Sequence, residues 1–576
     1  MTRISLGFVF KQALRQGYYR IATELGGPAR SLNLRSGKVE VFKKIDLGKI
    51  PYDKSVGEEL LKGRFRYAGQ TLDIGKDGDP WTISAPSERF ANWLHGFRWL
   101  ENLAGLTDKS AKFRARSLVD GWINVYGEWN HYAWDNDIIA DRLLAWLVVW
   151  DKCLAIDSLS EAASLRRECT FRQLKRLKNT FNRTPEGLPK LKAASVLALG
   201  GMMLNKNGSN YTNWALDRLA DEVDKQILPD GGHVSRSPET SLAALAVLKK
   251  VQTGLGKSGI ESTKSLDRAI ERLSHVINFF LLPDKKLAGF NGNGEDTKLP
   301  LKQLSKLIQG DVKPFAYCPH TGYQRLARGN TVIIVDAGNT PLHPYDLEAH
   351  LGPLSFEMAT EAGRLIVNCG WNEEQPNSWR KAMRSTAAHS TVTLNDQPTG
   401  SLVSQGFKSK ILGNAVIEGI EQCNASRKEQ NDGIWVEASH KAYVEKIGLA
   451  HLRRIYMAES GNDIRGEDRL MVPIGHTPKS TDQIPFDIRF HLHPSVRVTL
   501  AQDLTSALLI QPGHVGWRFR TDGGPISIQD SVYLSEGHKP GKTQQIVISG
   551  LAFADSDGET SSNKVRWSFK RLENRK

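Results

Sequence analysis

Four polar side chains between residues 350 and 389 carry the most suggestive chemistry in this chain: His350, Asn368, Arg384 and His389. They lie in the segments AHLGPLSFEM, EAGRLIVNCGWN and WRKAMRSTAAHSTVTLND. Spacings of 18 and 21 residues allow adjacent strands to bring the two histidines and the amide together. Imidazoles move protons near neutral pH. Two histidines and a carboxylate would make a credible zinc site, and two histidines and an amide a poorer one. An arginine or imidazolium beside a uronate carboxylate would acidify the neighbouring C–H. Two hydrogen-bonded histidines at strand ends would give the same pattern with no chemistry at all.

Further constellations lie outside this stretch. DGGHVSRSPET (230–240) places His233, Arg236 and Glu239 close together. It also reads as a helix start, with Ser237 as N-cap, Pro238 at the first position and an acid in the first turn. WNHYAWDNDIIADRLLAW (129–146) offers His131, Tyr132, Trp134, Asp135, Asp141 and Arg142. Its tryptophans serve equally as core or as sugar platforms, and Asp141–Arg142 reads as a surface ion pair of small value. His491 and His493 fall on one polar strand face, with no third ligand nearby. Phosphate loops, HExxH, GxSxG elbows, helix-turn-helix and RNP-like signatures are absent from the sequence.

The elements that must position these residues change character along the chain. Residues 1–20 read as a short basic amphipathic helix, and 30–85 as extended, wrapping structure. From about 86, helical spacing dominates: Phe90, Trp93, Leu94, Phe97 and Leu100, then Ile139, Leu143, Trp146 and Trp150. More helices are predicted at 160–181, 188–204, 212–227, 239–256 and 265–282, punctuated by Gly and Pro. A bundle, a solenoid and an α/α toroid all fit. After about 310, short β-branched runs take over: 331–336, 364–368, 390–394, 434–438, 487–493, 507–511 and 544–550. Segregated helices and strands predict an α+β multidomain chain: an extension at 1–85, a helical domain at 86–310 and a β domain at 311–576, large enough for a many-stranded sandwich.

With 576 residues, two or three domains are expected. The net charge of +14 favours an anionic partner: nucleic acid, an anionic membrane or an acidic glycan. The missing nucleic-acid signatures lower the first. The five cysteines (Cys153, Cys169, Cys318, Cys369, Cys423) show no CxxC spacing and are expected as buried thiols. No apolar leader or membrane-spanning run appears, which predicts a cytoplasmic location, with the periplasm as alternative.

The sequence resembles the heparinase II/III-like proteins, in particular a bacterial subgroup. The resemblance rests on TGYQRL (321–326), AHLGPLSFEM (349–358), RLIVNCG (364–370) and WRKAMRSTAAHSTVTLND (379–396). LHGFRWLENL (94–103), DGGHVSRSPE (230–239) and FHLHP (490–494) support it. It implies an N-terminal α/α toroid, an incomplete barrel of helical hairpins, followed by a large antiparallel β-sandwich. It also implies a polysaccharide lyase that cleaves a uronate-containing glycan by β-elimination, with no required cofactor. Such chemistry needs the C5 carboxylate neutralised, a base at C5 and an acid at O4. On this resemblance His233, His389, Tyr132 and Tyr323 are the catalytic candidates. Arg236, Arg384, His131, Trp134 and Trp371 are the substrate-binding candidates. A divalent metal such as zinc would fall on His350, Asn368 and His389.

Gly352 and Asn368 stand where the family carries aspartates, which counts against that metal. Glu239, Thr240 and Ser241 stand where the family carries a tyrosine. These departures open an alternative: a glycan-binding or assembly protein that has lost the base. A glycoside hydrolase would need two facing carboxylates, for which Glu128, Asp135 and Glu239 are candidates.

Overall fold

The structure is a computed structural model and describes residues 39–295 and 313–573, except 51, 157–158, 206–207, 405 and 535–538, together with 7, 9, 10, 12–14 and 17. Most of the N-terminal basic helix expected at 1–20 lies outside the described residues.

Helices fill the first half, and side-chain caps set where they begin. Ser87, Ser160, Ser237 and Thr263 each accept a hydrogen bond from the backbone N–H three residues on, opening helices Glu88–His95, Glu161–Asn179, Pro238–Lys257 and Lys264–Phe280. Asp108 caps Lys109–Tyr126. Helix Leu188–Met203 is buried on nearly every side and packs against Asn136–Val149, Gly208–Gln226 and Pro238–Lys257. Its Gly200 and Gly201 permit this. A Cβ there would stand 2.5 Å from the Leu174 side chain and 2.6 Å from Thr212 Oγ1.

Two expectations change in this half. Residues 54–73 are not extended wrapping. Asp53 caps a helix at Lys54–Leu61, and a hairpin pairs Arg64–Tyr67 with Gln70–Asp73 around Ala68-Gly69, both at positive φ. Arg142 is not half of a surface ion pair. It is fully buried, donates to the His95 and Ala133 carbonyls (3.0 and 2.9 Å) and to Gln173 (2.7 Å), and lies 4.0 Å from the Trp122 ring centroid. Asp141 pairs instead with Lys192 at 2.8 Å.

The second half is two antiparallel sheets face to face. One runs, in spatial order, Cys423–Gln430, Gly433–His440, Ala450–Ala458, Asp463–Met471, Lys564–Arg571, Val515–Thr521, Ser506–Gln511, Arg497–Leu500. The other runs Ile526–Tyr533, Gly541–Phe553, Gln483–Leu492, Gly363–Val367, Phe356–Thr360, Thr331–Asp336, Tyr323–Arg328, Tyr317–Cys318, with Val392–Leu394 also pairing to Gln483–Leu492. Alternating inward residues fill the space between, including Phe356, Phe490, Phe519, Trp567 and Phe569. Each β run expected from sequence overlaps a strand, although 390–391, 368 and 493 fall outside. All five cysteines are free, and four are buried.

The halves meet through buried polar contacts. The Asp230 carboxylate accepts from His320 N, Thr321 N and Thr321 Oγ1 at 2.7–2.8 Å. Arg236 donates to the Thr321 and Asn339 carbonyls (2.6 and 3.0 Å) and pairs with Asp336. Arg364 bonds Asp284 at 2.8 Å.

Candidate functional site

His350, Asn368 and His389 do come together, and the way they do so decides what they can do. Tracing the protons gives one consistent arrangement. His389 Nδ1–H donates to the Ser385 carbonyl (2.8 Å), leaving Nε2 as acceptor. His350 Nδ1–H donates to His389 Nε2 (3.0 Å), and His350 Nε2 accepts from Gly292 N (3.1 Å). Every ring nitrogen is occupied and both rings are neutral. Burial holds His389 down to about 4 and His350 well below the usual histidine value, with His389 and the Arg384 cation adding to the penalty on His350.

Asn368 is engaged too. Its Oδ1 accepts from Ser390 N (3.1 Å) and its Nδ2 donates to the Gly289 carbonyl (3.3 Å). No lone pair points to a common centre, and no group of three His, Cys, Asp or Glu among the described residues has metal-holding geometry. The donor set as folded does not fit a zinc ion.

Gly352 explains its own departure from the family pattern. A Cβ there would lie 2.3 Å from His389 Cγ and 2.4 Å from Cδ2. The imidazole occupies the space where an aspartate side chain would begin.

Arg384 does not reach into a cavity. Its guanidinium donates to the backbone carbonyls of Ala349 (2.7 Å), Asn414 (2.6 Å) and Asp346 (3.0 Å), and it is 2% exposed. It clamps the loop that carries His350.

Two other catalytic candidates, His233 and Tyr323, are similarly built in. His233 is 1% exposed; its Nδ1 accepts from Ser235 and its Nε2–H donates to Gln226 Oε1 (3.0 Å). Burial lowers it to about 3. Tyr323 is fully buried; its hydroxyl accepts from Asn291 Nδ2 (2.6 Å) and donates to the Arg236 carbonyl (2.9 Å), and burial pushes it well above the ordinary tyrosine value. Asn291 Oδ1 in turn accepts from His350 N (2.8 Å). Tyr323, Asn291, His350 and His389 thus form one buried strut joining strand Tyr323–Arg328 to the 350–389 segment through the 289–295 loop. Arg236, as a substrate-binding candidate, is spent on Asp336 and backbone carbonyls.

In the 129–146 segment, Trp134 is core, its indole N–H on the Tyr126 carbonyl at 2.8 Å. A buried indole is no sugar platform. His131 is exposed, and half-buried Tyr132 bonds Asn92. His491 and His493 do not share a ligand: the first bonds Ser531 and the Ala387 carbonyl, the second Ser495 and Glu295.

A cleft of about 450 Å³ does open between helices and sheets. Among the residues singled out from sequence, Trp371, Glu239 and Thr240 line it. Its other walls come from residues that sequence reasoning passed over: Arg98, Lys192, Glu348, Glu373, Glu374 and the Gly292–Gly294 backbone. The G-x-N-G-N-G run at 289–294 was the available signal. Gly292 has φ 80 and a Cβ there would meet Glu348 at 2.7 Å; at Gly294 it would meet the Trp371 carbonyl at 1.9 Å.

Four carboxylates (Glu239, Glu348, Glu373, Glu374) face two cations in this cleft. Arg98 is held by Glu373 at 3.2 Å, and Lys192 by Asp141 at 2.8 Å. Arg380 stands close enough to Glu348 and Glu373 to feel their charge, so the carboxylates are partly compensated.

Comparison with known proteins places this architecture. Residues 310–568 match the heparinase II/III-like C-terminal family. FtsZ-localized protein C of Caulobacter vibrioides (strain NA1000 / CB15N) is 33% identical over 530 residues, spanning 91% of this chain and 89% of that protein. A crystal structure of heparinase III superimposes with a TM-score of 0.68 at 14% identity, over 99% of this chain and 93% of that one. The heparan sulfate lyase HepC of Pedobacter heparinus gives a TM-score of 0.60 at 15% identity, over 99% and 91%. The helical part followed by a large antiparallel β domain is thus the α/α toroid and β-sandwich of the heparinase III fold.

Proposed function

We propose, for a chain that belongs to the heparinase II/III-like family, that it keeps the polysaccharide-lyase scaffold as a binding and assembly protein rather than as a lyase. One observation carries this reading: none of His233, His389, Tyr132 and Tyr323 lines the cleft between helices and sheets, whose walls carry Glu239, Glu348, Glu373, Glu374, Arg98 and Lys192 instead. β-Elimination requires a neutralised C5 carboxylate and a base within reach of the C5 proton. His233, His389 and Tyr323 are buried with their polar atoms engaged, so each would have to break two hydrogen bonds before acting.

The name of FtsZ-localized protein C suggests where such a scaffold works. By that analogy this chain takes a place in FtsZ structures.

Two measurements test the proposal. Purified protein is incubated at high concentration with a panel of uronate-containing and sulfated glycans, with and without divalent metals, and ultraviolet absorbance of unsaturated uronate is followed. No product is expected. Product that accumulates in proportion to the protein would establish the lyase and end the proposal. In cells, a fluorescent fusion is expected to coincide with FtsZ; a diffuse signal would remove the assembly role.

A further inference from the structure

The excess positive charge of this chain has no outlet in the carboxylate-rich cleft. Part of it lies on the outer face of the eight-stranded sheet. Strand alternation turns Trp435, Arg465, Arg520 and Arg566 outward, while Ile434, Ile464, Phe519 and Val565 face the core. Cross-strand register lines up Trp435, Tyr456, Arg465, Ser568 and Arg520 in one row across five strands. A shallow groove of about 490 Å³ runs along it.

Trp435 is 41% exposed and rests on Tyr456, ring centroids 4.6 Å apart. Tyr456 is fixed from below by its hydroxyl, which donates to the Asp432 carbonyl at 2.7 Å. The indole is therefore a braced platform and not a loose surface side chain. At the far end of the row, Arg520 makes no salt bridge within 4 Å among the described residues, its nearby carboxylates being Asp522 in the groove and Asp503, whose carboxyl pKa it helps to lower. Arg518 and Lys570, which the register sets directly opposite each other, make none there either. Like charges opposed across a sheet destabilise it, and a bound anion relieves that cost. Arg566 is tied to Glu467 at 3.3 Å, so carboxylates stand among the arginines.

We propose that this face binds an acidic oligosaccharide, one sugar ring stacked on Trp435 and the anionic group of a sugar farther along the chain held by Arg520, four strand steps or about 19 Å away. A single braced indole beside donors and acceptors in alternation suits sugar rings that carry both hydroxyls and charge. Glu467 and Asp522 in the groove can accept from sugar hydroxyls, which a polyanionic peptide lacks. The choice of a glycan rests on reading the chain as a binding scaffold; the site lies on a different face from the cleft and does not depend on catalysis there.

The test is isothermal titration calorimetry on the full chain. The probes are an oligogalacturonate (carboxylate only), a heparin-derived oligosaccharide (sulfate and carboxylate), a neutral cello-oligosaccharide and a poly-Glu peptide. Saturable binding of at least one acidic sugar is expected, weakened by about tenfold or more in both Trp435→Ala and Arg520→Ala, and by added salt. The two acidic probes decide which anion is preferred. Lys192→Ala, on the cleft wall, is expected to leave this binding unchanged. Equal binding in Trp435→Ala, loss in Lys192→Ala, a preference for the neutral sugar or for poly-Glu, or no saturable binding of either acidic sugar would overturn it. Unsaturated product would instead refute the scaffold reading, with binding at Trp435 judged separately.

Discussion

The packing of Gly352 against His389 yields the sharpest prediction. In Gly352→Ala the new methyl would sit 2.3 Å from His389 Cγ, 2.4 Å from Cδ2 and 2.8 Å from Cβ. The ring cannot simply swing aside, because Ser385 O holds Nδ1 and His350 holds Nε2. Overpacking of this kind costs about 1–3 kcal/mol, and displacing the ring adds roughly 1 kcal/mol for each hydrogen bond lost. Gly352→Ala alone is expected to destabilise by about 2–4 kcal/mol. His389→Ala alone leaves the His350 Nδ1–H without a partner and the Ser385 carbonyl with only the Ala388 N–H, and it opens a cavity, at a similar cost of about 2–4 kcal/mol. In the double variant the methyl enters vacated space, so it adds little to His389→Ala. The expected coupling is about 1–3 kcal/mol. Urea unfolding followed by fluorescence reads it as a shift in midpoint at constant slope. Trp371, whose ring lies 5.4 Å from that of His350, reports locally. If Gly352→Ala costs the same with and without His389, the steric account of this glycine is refuted.

Other predictions address the same buried network. His389 (about 4), His233 (about 3) and His491 (about 3) are all held neutral by burial. Below about pH 6.5 the unfolded chain takes up these protons first, so their stability contribution is full above that value and falls as pH drops toward the folded values. From pH 7.5 to 5.5 the loss is about 1 kcal/mol per histidine, read from the urea midpoint; a midpoint that rises over this range would contradict the neutral tautomers. Arg384→Lys keeps the charge but cannot span three carbonyls, and is expected to cost about 2 kcal/mol or more; an unchanged midpoint would argue against the clamp. Tyr323→Phe removes the hydroxyl between Asn291 and the Arg236 carbonyl, with an expected loss of about 1–3 kcal/mol; unaltered stability would show the strut is not under load.

The order of the chain is written in its sequence. Helical spacing across 88–280 and β-branched runs after 317 each reflect local backbone geometry, and caps such as Ser87 and Ser237 mark helix starts by bonds three residues away. Those signals are short-range, so a linear reading finds them. The convergence of His350, Asn368 and His389 was also legible from strand-sized spacing. Their role was not, because it turns on which nitrogen meets which partner. Gly292, Ser385 and Gly352 supply those partners and the space, and nothing in the spacing of the histidines reports them. Arg384 shows the same limit: an arginine beside a histidine suggests an anion, and carbonyls from 346, 349 and 414 claim it instead. The net charge of +14 was likewise plain in the sequence, yet its placement was not. Glu239, Glu348, Glu373 and Glu374 come from distant segments to make the cleft acidic, while pleat and register collect Arg465, Arg520 and Arg566 on another face. Periodicity is a property of neighbours along the chain; burial, protonation and local field belong to neighbours in space, and only the folded structure assembles those.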